Sequence, residues 1–131
     1  MAYRWVEHTG ELELELEAAS PEEVFAEGFR AIREVLGGEA GASEDSARIE
    51  LSAPDRGALL ADWLAELAFL AENGTLLPGR LARLELGDEG LVATVLGRPG
   101  AAPHLVKAAT YHRLAFEPLE AGWFARVVLD V

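Results

Sequence analysis

The sequence contains no cysteine, and this absence excludes disulfides, thiolate metal sites and cysteine nucleophiles. It also lacks any apolar run approaching the roughly 18 residues that a membrane-spanning helix needs. The start of the chain lacks the long apolar segment of a secretory signal, because Glu7 closes the apolar stretch early. We therefore expect a cytoplasmic protein with no membrane partner, built as one domain over residues 1–131.

Positive charge is also scarce, since Lys and Arg total 11 against 23 Asp and Glu, for a net charge of −12. Because neutralising phosphates needs clusters of basic residues, we expect no direct binding of nucleic acid. An acidic surface suits a basic protein partner or cations, and solubility alone is an equally good explanation. Within the small basic set Lys107 is the one lysine, and only lysine supplies a compact charge whose pKa can shift.

Strict alternation of Glu and Leu over residues 11–17 predicts a half-buried strand. Leu12, Leu14 and Leu16 should face the core, and the glutamates should face solvent. Leu and Glu favour helix intrinsically, but a helix would scatter these leucines around its circumference. The periodicity therefore outweighs the propensity.

Capping signals predict where the first helix begins and ends. Ser20 can cap it, Pro21 fits its first position, Glu23 completes a capping box and Gly37 ends it. A second helix is expected over residues 55–73, and further strands over residues 3–7, 47–52, 81–86, 91–96, 106–117 and 123–131, with loops over 39–46 and 98–104.

This order of elements predicts the α+β class: a single-domain two-layer sandwich with two helices packed on one face of a mainly antiparallel sheet. Most strands follow one another as hairpins, so the helices cannot be crossovers of an all-parallel sheet. The matching apolar periodicities predict one core containing Leu12, Leu14, Leu16, Phe25, Phe29, Trp63, Leu67, Val127 and Leu129.

Polar residues gather at the bend between the first two strands, where Glu7, His8 and Glu11 offer two carboxylates and an imidazole. These are ligand types for hard or borderline cations, although an ordinary turn with solvated glutamates is the commoner arrangement. The last strand ends on Asp130 and Val131, whose side-chain and α-carboxylates could hold a divalent cation; a plain chain end is the alternative. The sequence has no nucleotide-binding, zinc-protease or serine-hydrolase motif.

Five stretches together resemble the archease family, and the resemblance covers essentially the whole chain. The stretch Glu7-His8-Thr9-Gly10-Glu11 is similar to the family's Asp-His-Thr-Ala-Asp motif, and Val106-Lys107-Ala108-Ala109-Thr110-Tyr111-His112 is similar to Val-Lys-Ala-x-Thr-Tyr-His. The others are residues 20–25 at the first helix start, residues 59–67 in a Leu-Leu-x-Asp-Trp-Leu-x-Glu-Leu pattern, and residues 123–131 with their terminal Asp-Val.

The resemblance implies an accessory protein, not an enzyme, that activates a GTP-dependent tRNA-splicing RNA ligase of the RtcB type. Such a protein promotes guanylylation of the ligase and its multiple turnover. By position, the resemblance assigns functional roles to Glu11, Lys107 and Asp130. It also implies a divalent metal, with Ca²⁺ as the first choice, held by Glu11, Asp130 and the Val131 carboxylate. Around these ligands it suggests three polar side chains: Glu7, His8 and His112.

The chain departs from the family's pattern near the expected metal. Glu7 and Glu11 replace two aspartates, Gly10 replaces the usual Ala, and Glu13 stands where the family often has Gly. The extra methylene of Glu11 moves its carboxylate by about one C–C bond, a change that Ca²⁺ tolerates better than Mg²⁺, which demands stricter octahedral geometry.

Two other functions compete with ligase activation. One is a chaperone or specificity modulator of another RNA-modifying enzyme, such as a tRNA methyltransferase, which differs only in the partner. The other is a small metal-dependent hydrolase using Glu7 or Glu11 as a base, and the absence of nucleophile and nucleotide-binding motifs counts against it.

Overall fold

The computed structural model describes residues 2–102, 106 and 108–131. Over these residues the elements are β1 (Ala2–His8), β2 (Glu11–Ala18), α1 (Pro21–Leu36), β3 (Asp45–Ser52), α2 (Arg56–Glu72), β4 (Leu77–Leu86), β5 (Gly90–Arg98), β6 (Ala108–Leu119) and β7 (Gly122–Asp130). The predicted α+β class is confirmed, as is the strand assignment of the Leu-Glu alternation.

The first helix begins and ends as its capping residues predict. The Ser20 side chain accepts a hydrogen bond from the Glu23 backbone N–H at 3.2 Å, and Pro21 occupies the first turn. Gly37 ends the helix in the left-handed region at φ 74°, a conformation that glycine adopts without a steric penalty. α2 is capped in the same way, because the Asp55 side chain accepts a hydrogen bond from Ala58 N–H at 2.9 Å.

The four-stranded sheet has the order β1-β2-β7-β6, and every neighbouring pair is antiparallel. β2 lies between its hairpin partner β1 and the last strand, β7. Segments from the two ends of the sequence are therefore hydrogen-bonded side by side, which is what positions the candidate site.

A second, three-stranded antiparallel sheet has the order β3-β5-β4, whereas we expected a single sheet from the sequence. The division follows from the connections: α1 separates β2 from β3, α2 separates β3 from β4, and β3 pairs with β5. Each helix packs against strands of both sheets. No helix in the described part of the chain is long and apolar enough to cross a membrane.

The predicted core is confirmed, with one qualification. Eight of the nine expected side chains belong to one buried group, and Leu12 is half-buried against it. Trp63 is fully buried, and its indole N–H donates to the Phe25 carbonyl at 3.1 Å, so the polar atom of this side chain is satisfied.

Most predicted boundaries lie within one or two residues of the structure, and the starts of β3, β4 and β6 differ by two residues or more. β3 begins at Asp45, inside the loop expected to extend to residue 46, and β4 begins at Leu77 rather than residue 81. β4 is an edge strand with a register shift between Pro78 and Arg80, and edges and bulges are where proline and glycine are tolerated in a strand. β6 begins at Ala108 rather than residue 106, while residues 103–104 of the expected loop and Lys107 of the expected strand lie outside the described residues.

Candidate functional site

Two predicted site residues face each other across adjacent strands. Glu11 on β2 is the direct cross-strand partner of Asp130 on β7. The Val131 backbone N–H donates to the Gly10 carbonyl at 3.2 Å, which places Val131 beside the turn that precedes Glu11. The structure therefore brings Glu11, Asp130 and Val131 together at one end of the four-stranded sheet, hereafter the carboxylate end.

A cavity of about 650 Å³ opens at the carboxylate end. Glu7, His8, Glu11 and Val131 line it from the strands. Glu7 pairs with Leu12 and His8 with Glu11, so Glu7 and His8 lie on opposite faces of β1. The predicted residues are thus close together but do not converge from one face.

Sequence reasoning missed Glu34, which lines the same cavity from α1. The Tyr3 hydroxyl donates to the Glu34 carboxylate at 2.5 Å. This hydrogen bond raises the pKa of Tyr3, and burial and the negative charges of Glu34 and Glu27 act in the same direction. No motif marks Glu34 in the sequence, because one carboxylate on the polar face of a helix looks like any solvated residue.

The prediction that all the β2 glutamates face solvent is wrong for Glu13, which is only 3% exposed. Its Oε1 lies 2.5 Å from Nη1 of Arg113 on β6. The contact is an ion pair without the alignment of a hydrogen bond, so Oε1 lacks a donor within the described residues. His8 Nε2 lies 3.8 Å from the same oxygen. The positive charge of Arg113, on β6, compensates the buried negative charge of Glu13.

Arg113 lies in an irregular part of β6. The pairing of β6 with β7 shifts register between Thr110 and Ala115, and Arg113 has φ 57°, the left-handed region that favours glycine. The Arg113 carbonyl accepts a hydrogen bond from Arg126 Nε at 2.9 Å. Two contacts therefore hold this residue in an unfavourable backbone conformation, one through its side chain and one through its carbonyl.

The two remaining predicted residues, His112 and Lys107, stand differently. The His112 side chain is exposed, its backbone N–H donates to Thr110 Oγ1 at 3.3 Å, and within the described residues no hydrogen bond or ion pair joins it to Glu11 or Asp130. Lys107 lies outside the described residues.

The donor atoms at the carboxylate end fit a hard cation in their chemistry, because the side chains of Glu11 and Asp130 and the expected Val131 carboxylate supply only oxygens. Directly opposed like charges on neighbouring strands repel, and a cation would offset that repulsion. In residues 2–102, 106 and 108–131, however, no group of three or more His, Cys, Asp or Glu side chains is arranged to hold a metal ion. Two side-chain carboxylates alone are an incomplete set for Ca²⁺, so further oxygens would have to come from the backbone, water or a partner.

Comparison with known proteins gives a consistent match. The family model of the archease protein family matches residues 3–131. The protein archease of Methanosarcina barkeri is 32% identical over 98% of this chain and 95% of its own length. The protein archease of Methanopyrus kandleri is 30% identical over 100% of both chains.

Solved structures match the fold over almost the whole chain. The solution structure of Methanobacterium thermoautotrophicum protein 1598 superposes with a TM-score of 0.72 at 26% identity, covering 98% of each chain. The crystal structure of a Thermotoga maritima protein described as an archease, possible chaperone, gives a TM-score of 0.68 at 22% identity, covering 96% of this chain and 94% of that one.

Proposed function

The chain belongs to the archease family, and from this premise we propose that it activates a GTP-dependent tRNA-splicing RNA ligase of the RtcB type. It acts on the ligase by promoting guanylylation and multiple turnover, and it performs no reaction itself. The proposal carries over to this chain the role that the sequence resemblance implies.

The observation that carries the proposal is the pairing of Glu11 with Asp130. These positions are 119 residues apart in the sequence, and both match functional positions of the family's motifs. β6 extends the same sheet, and its first residue, Ala108, is the cross-strand partner of Asp130. Segments from three parts of the chain therefore meet at the carboxylate end.

A divalent metal is part of the proposal, with Ca²⁺ as the expected ion. Glu11, Asp130 and the Val131 carboxylate would hold it, and when bound it would supply positive charge and open coordination positions to a partner. The protein's own residues position the carboxylates: the β2–β7 register fixes Glu11 opposite Asp130, and the Val131–Gly10 hydrogen bond fixes the last residue beside them.

The proposal is tested by single-turnover labelling of the cognate ligase with radioactive GMP, with and without this protein. The wild type should accelerate labelling. Lys107→Arg and Lys107→Ala should both slow it while circular dichroism stays unchanged, because a guanidinium does not reproduce the compact charge of an ammonium. Asp130→Asn should slow it too. Arg48→Ala is the control and should have no effect, because the Arg48 side chain is 65% exposed on β3, in the other sheet.

If the wild type gives no acceleration with its own ligase, the proposed function is wrong. Recovery of a different RNA-modifying enzyme, such as a tRNA methyltransferase, as the bound partner from native extract would then favour the chaperone alternative. If the wild type accelerates labelling and both Lys107 variants do so equally well, only the role of Lys107 is rejected.

A further inference from the structure

Two aromatic side chains, of a type that is usually buried, are exposed on and beside α2. Phe69 on α2 is 54% exposed, and Tyr111 on β6 is 62% exposed. Single exposed apolar residues are ordinary, but these two are linked, because the Tyr111 hydroxyl donates to Asp62 Oδ1 at 3.4 Å and Asp62 lies on the same helix as Phe69. Exposed aromatic side chains are enriched at interaction surfaces, and Asp62 connects the positions of these two.

Phe69 and Asp62 line a groove of about 440 Å³ between α2 and the start of β6, hereafter the α2 groove. Its floor includes two alanines of α2, Ala65 and Ala68, and Ala109 of β6. Because alanine side chains are short, the floor leaves room for an inserted apolar side chain.

The rim of the α2 groove is acidic. Asp62, Glu66 and Glu72 line it, and within the described residues none of the three takes part in an ion pair. Glu72 is also the last residue of α2, where the helix dipole favours positive charge. The sequence of α2 has no Lys or Arg after Arg56, so the helix does not supply its own counter-charges.

We propose that the α2 groove is the docking site for a basic segment of a partner protein. An apolar side chain of that segment enters the groove against Phe69, and Tyr111 contacts the segment beside Asp62. Flanking Lys or Arg residues pair with Asp62, Glu66 and Glu72. The net charge of −12 disfavours a second copy of this chain and a nucleic acid as occupants, and it attracts a basic protein surface. Identifying the partner as the RNA ligase rests on the function proposed above.

The size of the groove defines its role in the interface. A stable protein–protein interface buries about 1,600 Å² in total, and a 440 Å³ groove is large enough for only a small part of such an interface. The α2 groove therefore provides the central anchor, and the surrounding surface supplies the remaining area. Aromatic residues at the centre of an interface are the ones whose loss costs most affinity.

The test uses the full chain, calorimetry and two probes. One probe is the purified cognate ligase, and the other is a synthetic peptide with leucines at helical spacing and lysines elsewhere. Phe69→Ala and Tyr111→Ala should each weaken binding of both probes at least about tenfold. Glu66→Gln should weaken binding less and reduce its salt dependence. Leu119→Ala is the matched control, because Leu119 is 45% exposed at the opposite end of β6 and should bind as the wild type does.

The outcomes separate the docking site from the proposed function. If the wild type binds the ligase and both Phe69→Ala and Tyr111→Ala bind it with the same affinity, the docking site is overturned and ligase activation still stands. Binding of the peptide, weakened by both variants, without any binding of the ligase would support the docking site and reject the ligase as partner. Failure of both probes, or a concentration-dependent dimer that Phe69→Ala abolishes, would overturn the docking site.

Discussion

Replacing Arg113 tests the ion pair that holds the buried carboxylate of Glu13. Arg113→Ala removes the partner at 2.5 Å and leaves a carboxylate whose residue is only 3% exposed. Breaking a fully buried pair costs about 3–5 kcal/mol. Because the Arg113 side chain is 45% exposed, water screens the interaction, and we expect a loss of about 1–3 kcal/mol in the free energy of unfolding.

Arg113→Gly removes the same ion pair but also relieves the backbone at φ 57°. A left-handed conformation costs a residue with a Cβ about 1–2 kcal/mol, and glycine avoids that cost. The glycine variant should therefore be about 1 kcal/mol more stable than the alanine variant. Glu13→Gln should cost less than Arg113→Ala, because it leaves behind a guanidinium that water can reach rather than a buried negative charge.

Urea unfolding followed by tryptophan fluorescence measures all three variants. Arg48→Ala is the control, because Arg48 and Glu50 form a pair at 3.5 Å with side chains 65% and 70% exposed, and such pairs contribute about 0–1 kcal/mol. If Arg113→Ala is no more destabilising than Arg48→Ala, the buried pair does not stabilise the fold. Equal stability of the alanine and glycine variants would show that the backbone at position 113 carries no strain.

Three further substitutions test the core, a pKa and the carboxylate end. Phe29→Ala should destabilise by about 3–5 kcal/mol, since Phe29 is 2% exposed, and a loss below about 1 kcal/mol in urea would contradict its core placement. The hydrogen bond to Glu34 raises the pKa of Tyr3 above 10.0, so its contribution to stability is present below pH 10.0 and is lost as pH rises through the raised pKa. Tyr3→Phe should therefore lose less stability than the wild type in thermal melts from about pH 8 to 12, and equal losses in the two proteins would refute this prediction. Glu11→Gln should raise stability in EDTA by about 0.2–1 kcal/mol by removing repulsion with Asp130 and should reduce any stabilisation by CaCl₂; lower stability in EDTA would contradict the repulsion.

The fold was predictable where the signal is local. The Leu-Glu alternation fixes a strand because the period of two cannot place Leu12, Leu14 and Leu16 on one side of a helix. Ser20 and Gly37 fix the ends of α1 because their caps involve residues only three or four positions away. The division of the strands into two sheets was not predictable in this way, because strand pairing joins residues far apart in sequence.

The candidate site was also predictable only in part, because some of its contacts join residues far apart in sequence. The sequence resemblance pointed to Glu11 and Asp130, and the β2–β7 register places them opposite each other. The burial of Glu13 was missed because it depends on Arg113, 100 residues later in the sequence. It also depends on a register shift in β6 that no sequence pattern predicts. Glu34 was missed because its position at the cavity depends on how α1 packs against the first strands.

The charges along β2 distinguish the carboxylate end from the rest of the strand. Glu13 is paired with Arg113 and Glu15 with Arg4, so the fold provides a guanidinium partner for two successive carboxylates on the face of β2 opposite its leucines. Glu11 continues the same face, but its cross-strand neighbour is Asp130, and within the described residues it has no ion pair. Within residues 2–102, 106 and 108–131, guanidinium partners are therefore present along the middle of β2, and none pairs with Glu11 at the carboxylate end. A cation would offset the repulsion between Glu11 and Asp130, and under the proposed function a bound metal ion or a basic side chain would supply that charge in the ligase complex.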